Sequence, residues 1–363
     1  MKTIQQLNVS VICGGQSSEH DISLRSAQFV VNQLVGMQCS VQVIWIDLDG
    51  HWWALESASS FVSQGITDKF PLVLTPGSSH PWQSLLTNKP IAVDVVFPLV
   101  HGETGEDGCL QGLLTCLGVP YVGANVLASA LCMHKDMAKR LWRDAGLPTC
   151  DWVTVSRHDK HIHSFAELAA RWGNVLFIKP AGQGSSYGVT RVTSDAEFGP
   201  AIDQALSFHD CALIEPAVIG AEVECAIKGY GDQLSASVLG ELEVHHDFYS
   251  FDAKYNDPQG ARAIIPARLD SKRQQQIQQL ALQACRVLSV EGMARVDFFV
   301  NDQHILLNEI NTIPGFTSIS LYPKNWQATG LSTLTLLSDL LLTAFEQRTV
   351  TSSSSQTTRD HNP

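Results

Sequence analysis

Four polar residues interrupt apolar sequence late in the chain: Arg295 and Asp297 in "MARVDFFV", and Glu309 and Asn311 in "LLNEINTIPGFTS". Side chains two apart on a strand share a face, so each pair points one way. Only "NDQH" separates the two runs, which predicts a hairpin that gathers all four on one side. Two carboxylates and an amide oxygen are hard donors, suited to Mg²⁺ that keeps waters and binds substrate phosphates. A plain salt bridge from Arg295 to Glu309 fits the same residues. The apolar surroundings favour the metal, because unpaired charge is costly to bury.

A metal–phosphate site also needs cations and backbone donors. "FIKPAGQGSSYGV" supplies Lys179 at a strand end and Gly182, Gly184 and Gly188 in a loop whose N–H groups can face an anion. Neither GxxxxGK[ST] nor GxGxxG occurs. Gly184 to Gly188 matches the hydrolase elbow around Ser186, but that elbow leads into a helix, and here the β-branched "VTRV" follows. Glu215 ends the strand "LIEPAV", with Glu222 seven residues on; a carboxylate there can accept from a ribose hydroxyl and the adjacent backbone can read an adenine edge. "GGQSSEHDIS" and "PLVHGETGEDG" set Glu19 and His101 just past strands, where open α/β sheets bind ligands.

The elements that must hold these residues follow from periodicity. Short apolar strands alternate with helices over the first third, which predicts a doubly wound parallel sheet: Val9 to Cys13, "CSVQVIWIDLDG" and "IAVDVVFPLV", with a helix from Ser18 to Leu34. One helix is expected from Leu127 to Ala145, stopped by Gly146 and Pro148. Capping boxes at Ser164-x-x-Glu167 and Ser271-x-x-Gln274 open two more. Boundaries near 125 and 216 divide the chain into units 1–125, 126–216 and 217–347, with a polar loop at 245–262 and a disordered tail over 348–363.

With 363 residues and 44% hydrophobic content the chain builds more than one core. A net charge of −12 argues against a nucleic-acid partner. Nine cysteines without a CxxC pair read as reduced thiols of a cytoplasmic protein, and no membrane span is expected.

Taken in order, "GGQSSEHDIS", "HGETGEDG", "KPAGQGSSYGV", "DFYSFDAKY", "ARVDFF" and "LNEINTIPGFTS" resemble the D-alanine–D-alanine ligases of the ATP-grasp superfamily, from about Val9 to Leu341. The resemblance implies a three-domain ATP-grasp α/β architecture whose N-terminal domain is the doubly wound sheet. ATP would lie between the central and C-terminal domains. The implied reaction joins two D-alanines through a D-alanyl phosphate, giving ADP and phosphate, for peptidoglycan precursors.

Carried to this sequence, the resemblance assigns Lys135, Lys179 and Lys254 to ATP phosphates, Glu215 and Val218 to the adenine, and Glu222 to the ribose. Asp297, Glu309 and Asn311 would hold two Mg²⁺ (or Mn²⁺). Glu19 would receive the first D-alanine's ammonium, with His101 nearby. Arg295 and the Gly315 N–H would stabilise the oxyanion, and Ser320 would bind the second D-alanine's carboxylate. Tyr255 would close a lid through Ser185 and Glu19. The family also implies a homodimer. Departures are His134, where the family usually shows Asp or Asn, and Gly182-Gln183, where it often has charged residues. Rival readings are a D-lactate- or D-serine-using ligase, another ATP-grasp carboxylate–amine ligase and a non-catalytic nucleotide-binding protein. An NAD-dependent oxidoreductase lacks its glycine fingerprint.

Overall fold

The computed structural model describes residues 2–244 and 261–357. Three sheets follow in chain order. The first contains β1 (Asn8–Gly14), β2 (Ser40–Ile46), β3 (Trp52–Leu55), β4 (Lys69–Leu74), β5 (Trp82–Ser84) and β6 (Val95–Pro98), in the order β5-β4-β3-β2-β1-β6. β1 pairs in parallel with β2 and β6, but β3 to β5 form an antiparallel meander. The expected parallel sheet is therefore confined to three strands. The cause is the short Asp47 to His51 connection, where Asp47 Oδ1 accepts from the Asp49 and His51 amides at 3.0 and 2.8 Å. So tight a turn can join only antiparallel neighbours. Helices cover both faces. α1 (His20–Gly36) packs Ala27, Val30, Val31 and Leu34 on one side, with α2 (Ala58–Gln64) beside it. α3 (Cys109–Cys116) packs Leu110 and Leu114 on the other.

α4 (Val126–Met133) and α5 (Lys135–Asp144) replace the single helix expected there. The break is at His134, with φ −87° and ψ 89°, so Lys135 opens a new helix. The second sheet follows: β7 (Val153–Ser156), β8 (Leu176–Pro180), β9 (Thr190–Val192) and β10 (Cys211–Pro216), antiparallel in the order β7-β10-β8-β9. α6 (Phe165–Trp172) and α7 (Asp195–Phe208) bury Leu168, Ile202 and Ala205 against it. Ser164 caps α6 as its motif predicts, accepting from the Glu167 amide at 3.2 Å.

The third sheet comprises β11 (Ala221–Gly229), β12 (Ser235–Val244), β13 (Ala261–Ile264), β14 (Gly292–Val300) and β15 (Ile305–Asn311), antiparallel in the order β13-β12-β11-β14-β15. α8 (Ser271–Val287) packs Ile277, Ala281, Ala284 and Cys285 on it. Its N-cap is Asp270, which accepts from the Arg273 amide at 2.9 Å, rather than Ser271. Ala128 and Cys132 of α4 and Ala138 and Trp142 of α5 enter this same core. The two helices thus anchor on the back of the third sheet, with Lys135 at their junction reaching the cleft, although their sequence precedes the second.

The chain then returns to its start. Phe316 of the turn after β15, Tyr322 and Trp326 of α9 (Leu321–Ala328), and Leu336, Leu337, Leu340 and Leu341 of α10 (Thr333–Thr357), complete the first sheet's core with Val11, Phe97 and Leu34. α10 runs on to Thr357, so the segment expected to be disordered from 348 is helical over its first part. Extending a nucleated helix needs no further nucleus. Among the described residues no single helix is long and apolar enough to cross a membrane.

Candidate active site

A cleft of about 1020 Å³ opens where the three sheets meet. Its floor is the β14–β15 hairpin read from sequence. Arg295 pairs across to Asn311, and Asp297 to Glu309. Direct cross-strand partners share a face, so the four residues do converge. β11 extends the row, because Glu224 is the cross-strand partner of Asp297 on its other side. Three carboxylates therefore line up across three adjacent strands. Glu224 was not singled out from sequence; its signal was the alternation Glu222-x-Glu224 on a largely apolar strand.

Two cations balance this row. Arg295 donates to both Asp297 oxygens at 2.8 and 2.7 Å, and its Nε lies 3.0 Å from Glu224. Burial would push Arg295 down, but Asp297 and Glu224 raise it well above its ordinary value. Asn311 donates Nδ2 to Asp297 at 3.0 Å. Lys135 Nζ lies 3.3 Å from Glu309 and donates at 2.6 Å to the Gln183 carbonyl of the glycine-rich loop. The Arg295–Glu309 salt bridge considered from sequence is thus replaced by Arg295–Asp297 and Lys135–Glu309.

Lys179 and Glu215 sit on paired strands β8 and β10 at the cleft's inner wall. Glu215 is buried between two ammonium groups: Lys179 at 2.8 Å and Lys139 at 2.6 Å. Burial alone would raise its carboxyl, but Lys139 and Lys179 hold it down at about 2. Lys139, fully buried on α5, also donates to Cys150 Sγ at 2.8 Å. It escaped notice in sequence because a lysine four residues past Lys135 looks like helix surface. Val218 and Glu222 line the cleft beyond Glu215.

The opposite wall comes from the first sheet. Glu19, buried at the start of α1, accepts from Ser185 Oγ across the cleft. Ser185 and Ser186 both have positive φ, 49° and 59°, an unusual backbone for non-glycine residues that holds the loop open-faced. A strand, β9, follows this loop, so the hydrolase-elbow geometry around Ser186 is absent. Gln183 Nε2 donates to Glu103 at 2.5 Å, tying the loop to the "HGETGEDG" stretch. His101 is buried; its Nδ1 lies 3.0 Å from the Ile313 carbonyl and its Nε2 3.1 Å from Ser26 Oγ. The carbonyl can only accept, so Nδ1 carries the proton and Nε2 accepts from Ser26. Burial lowers its proton affinity further, keeping the ring neutral.

Glu106 is the third residue, after Glu224 and Lys139, that the sequence did not single out. Its two oxygens accept from the Gly102 and Ile313 amides at 2.9 and 3.1 Å. Burial, with the negative charge of Glu19, pushes its carboxyl up to about 8. The end wall is the turn after β15. Gly315 and Ser320 face the cleft together. Ser320 Oγ accepts from the Thr317 amide at 3.0 Å, and a Cβ on Gly315 would come within 3.2 Å of that hydroxyl. Lys254 and Tyr255, expected on a lid, lie outside the described residues.

A family model described as "D-ala D-ala ligase N-terminus" matches residues 8–124, and one described as "D-ala D-ala ligase C-terminus" matches residues 141–342. A D-alanine–D-alanine ligase of Coxiella burnetii is 43% identical over 353 residues, covering 94% of this chain and 95% of that one. Among solved structures, a D-alanine–D-alanine ligase from the same organism superposes with a TM-score of 0.85 at 38% identity, covering 97% and 99%. The VanG D-Ala:D-Ser ligase from Enterococcus faecalis gives 0.83 at 34%, covering 93% and 98%. The three-sheet fold around this cleft is that of an ATP-grasp ligase. Within that class, the chain belongs to the D-alanine–D-alanine ligase family.

Proposed function

We propose that the chain joins two D-alanines at the expense of ATP, passing through a D-alanyl phosphate, to supply peptidoglycan precursors. The observation that carries this reading is one cleft with two chemically distinct ends. Lys135, Lys179 and the glycine-rich loop gather cationic and N–H donors at one end. Glu19, Arg295, Gly315 and Ser320 gather amino-acid-binding groups at the other.

ATP would lie along Lys179, Val218 and Glu222, with Lys135 and Lys179 at its phosphates. Glu215 already bonds two lysines, so the adenine edge falls to the backbone beyond it, near Val218. Asp297, Glu309 and Asn311 fit Mg²⁺ or Mn²⁺: all offer oxygen, and Asn311 leaves Oδ1 available while its Nδ2 serves Asp297. When bound, such ions neutralise charge on the transferring phosphoryl group. Glu19, buried and steadied by Ser185, receives the first ammonium. That directs the first carboxylate toward the phosphates, where phosphorylation converts a poor leaving group into a good one. Arg295 and the Gly315 N–H meet the oxyanion formed when the second amine attacks. Ser320 holds that substrate's carboxylate, Lys254 and Tyr255 close the lid, and neutral His101 fixes the Ile313 end of the turn.

D-serine is the second reading for the acceptor, given the likeness to a D-Ala:D-Ser ligase. Phosphate release measured with ATP and D-alanine, alone or with D-serine or D-lactate, separates them. D-alanine alone should suffice; release that requires another acceptor would reject the proposal. The homodimer implied by the resemblance is checked by sedimentation of the purified chain.

A further inference from the structure

Behind the glycine-rich loop, on the side away from the cleft's carboxylates, stand three side chains with no part in the proposed chemistry. His134 occupies the break between α4 and α5. His209 and Cys211 flank the entry to β10. One nitrogen from each imidazole and the Cys211 sulfur lie within 4.8 Å of one another, and all three residues are half-buried. The two rings meet edge-on, at 85°, with centroids 5.2 Å apart. Two imidazoles on one tetrahedral ion, with metal–nitrogen bonds of about 2.0–2.1 Å, place their centroids about 5.2 Å apart. The ring spacing matches that of a shared ion, and the three ligand atoms, within 4.8 Å of one another, need only small side-chain rotations to converge on it.

We propose that His134, His209 and Cys211 form a binding site for a borderline-soft divalent cation, with Zn²⁺ the best match, and one coordination position left to water. Two nitrogens and one sulfur select against Mg²⁺ and Ca²⁺, which take oxygen. His134 accepts from the Met137 amide through Nδ1 at 3.4 Å, leaving Nε2 for the ion. His209 Nδ1 lies 3.1 Å from the Cys211 amide and 3.3 Å from its carbonyl. It accepts from the amide when metal-free; with Nε2 bound to the ion, Nδ1–H turns to the carbonyl, the outer partner that metal-bound imidazoles usually have. The sequence permits this geometry at Gly182, where a Cβ would come within 2.6 Å of the His209 ring.

The ion would join two parts of the fold. His134 heads the helix that packs on the third sheet, whereas Cys211 opens β10 of the second and His209 ends the helix α7 that leads into it. Backbone bonds already run from Lys135 N–H to Ala181 at 2.8 Å and from Ala181 N–H to Cys211 at 2.9 Å. Coordination would add side-chain ties along the same line.

The test uses the purified full chain, stripped with a chelator and desalted. Zn²⁺ is titrated in competition with a chromogenic chelator, and Co²⁺ serves as a spectroscopic probe. The expected results are one more tightly bound Zn²⁺ per chain than in the triple variant His134→Asn/His209→Asn/Cys211→Ser, and a thiolate-to-cobalt charge-transfer band that Cys211→Ser abolishes. His134→Asn keeps an N-cap acceptor and should weaken Zn²⁺ by at least the ~10–100-fold that even outer partners cost. Added Zn²⁺ should raise the unfolding temperature of the wild type more than that of the triple variant. Equal stoichiometry in wild type and triple variant, or a cobalt spectrum without the thiolate band, overturns the site.

Discussion

Replacing Lys139 with methionine tests whether the buried Lys139–Glu215–Lys179 cluster is held together by charge. Methionine nearly matches lysine in length and volume, so the change leaves little cavity and removes one cation. Glu215 is 4% exposed, and its carboxyl sits at about 2 against an ordinary 4.5. At ~1.36 kcal/mol for each tenfold change in proton affinity, the fold favours the carboxylate by about 3 kcal/mol. Lys139 opposes burial more strongly than Lys179 does, so Lys139→Met should cost roughly 2–4 kcal/mol, overlapping the ~3–5 kcal/mol for breaking a buried pair. The sign sets the pH window. A depressed carboxyl contributes fully above about pH 4.5 and loses its contribution as pH falls toward 2. Urea unfolding, followed by tryptophan fluorescence, should separate wild type from variant widely at pH 7 and much less at pH 3. Lys139→Met/Glu215→Gln should recover part of the loss, because no buried carboxylate then lacks its second partner. A loss under about 0.5 kcal/mol at pH 7, or a gap that ignores pH, would refute the electrostatic account.

Three further outcomes are expected. Glu309→Gln should abolish phosphate release while leaving the unfolding midpoint nearly unchanged; turnover near the wild-type rate would remove Glu309 from the metal role. Binding of D-alanine with ADP present should release about one proton per site near pH 7, because Glu106, raised to about 8 by burial and Glu19, ionises beside the incoming ammonium. Calorimetry in buffers of different ionisation enthalpy reads this directly, and buffer-independent heats would count against it. Phe316→Ala should destabilise by about 3–5 kcal/mol, since that ring is fully buried against Phe97, Phe29 and Tyr322; a loss below 1 kcal/mol in urea unfolding would contradict this packing.

Much of the site was legible because it rests on strand alternation. Asp297, Glu309, Arg295 and Asn311 meet across one hairpin, as their spacing predicts. Glu224 was not legible, because its place in the row depends on which strand flanks β14, and strand order is not local information. Lys139 and Glu106 escaped for a related reason: each looks like an ordinary surface charge until the packing of α5, or the Ile313 turn, buries it. The parallel sheet was half right. The pattern of apolar runs identified β1, β2 and β6, whereas the Asp47 turn that reverses the chain was read as part of a strand. His134 stands out in sequence as a departure, but its effect, a helix break that sets Lys135 at a helix start, emerges only in three dimensions.

The closing of the first core by α9 and α10 bears on how the chain is made. Val11, Leu34 and Phe97 emerge early from the ribosome, yet Phe316, Leu336, Leu337 and Leu341 complete their packing. Domains generally fold as units during synthesis, N-terminal first. Here the earliest-made sheet waits for residues more than two hundred positions downstream. Until then its apolar surface is open, and a nascent chain stalled before Phe316 presents that surface to chaperones or to other chains.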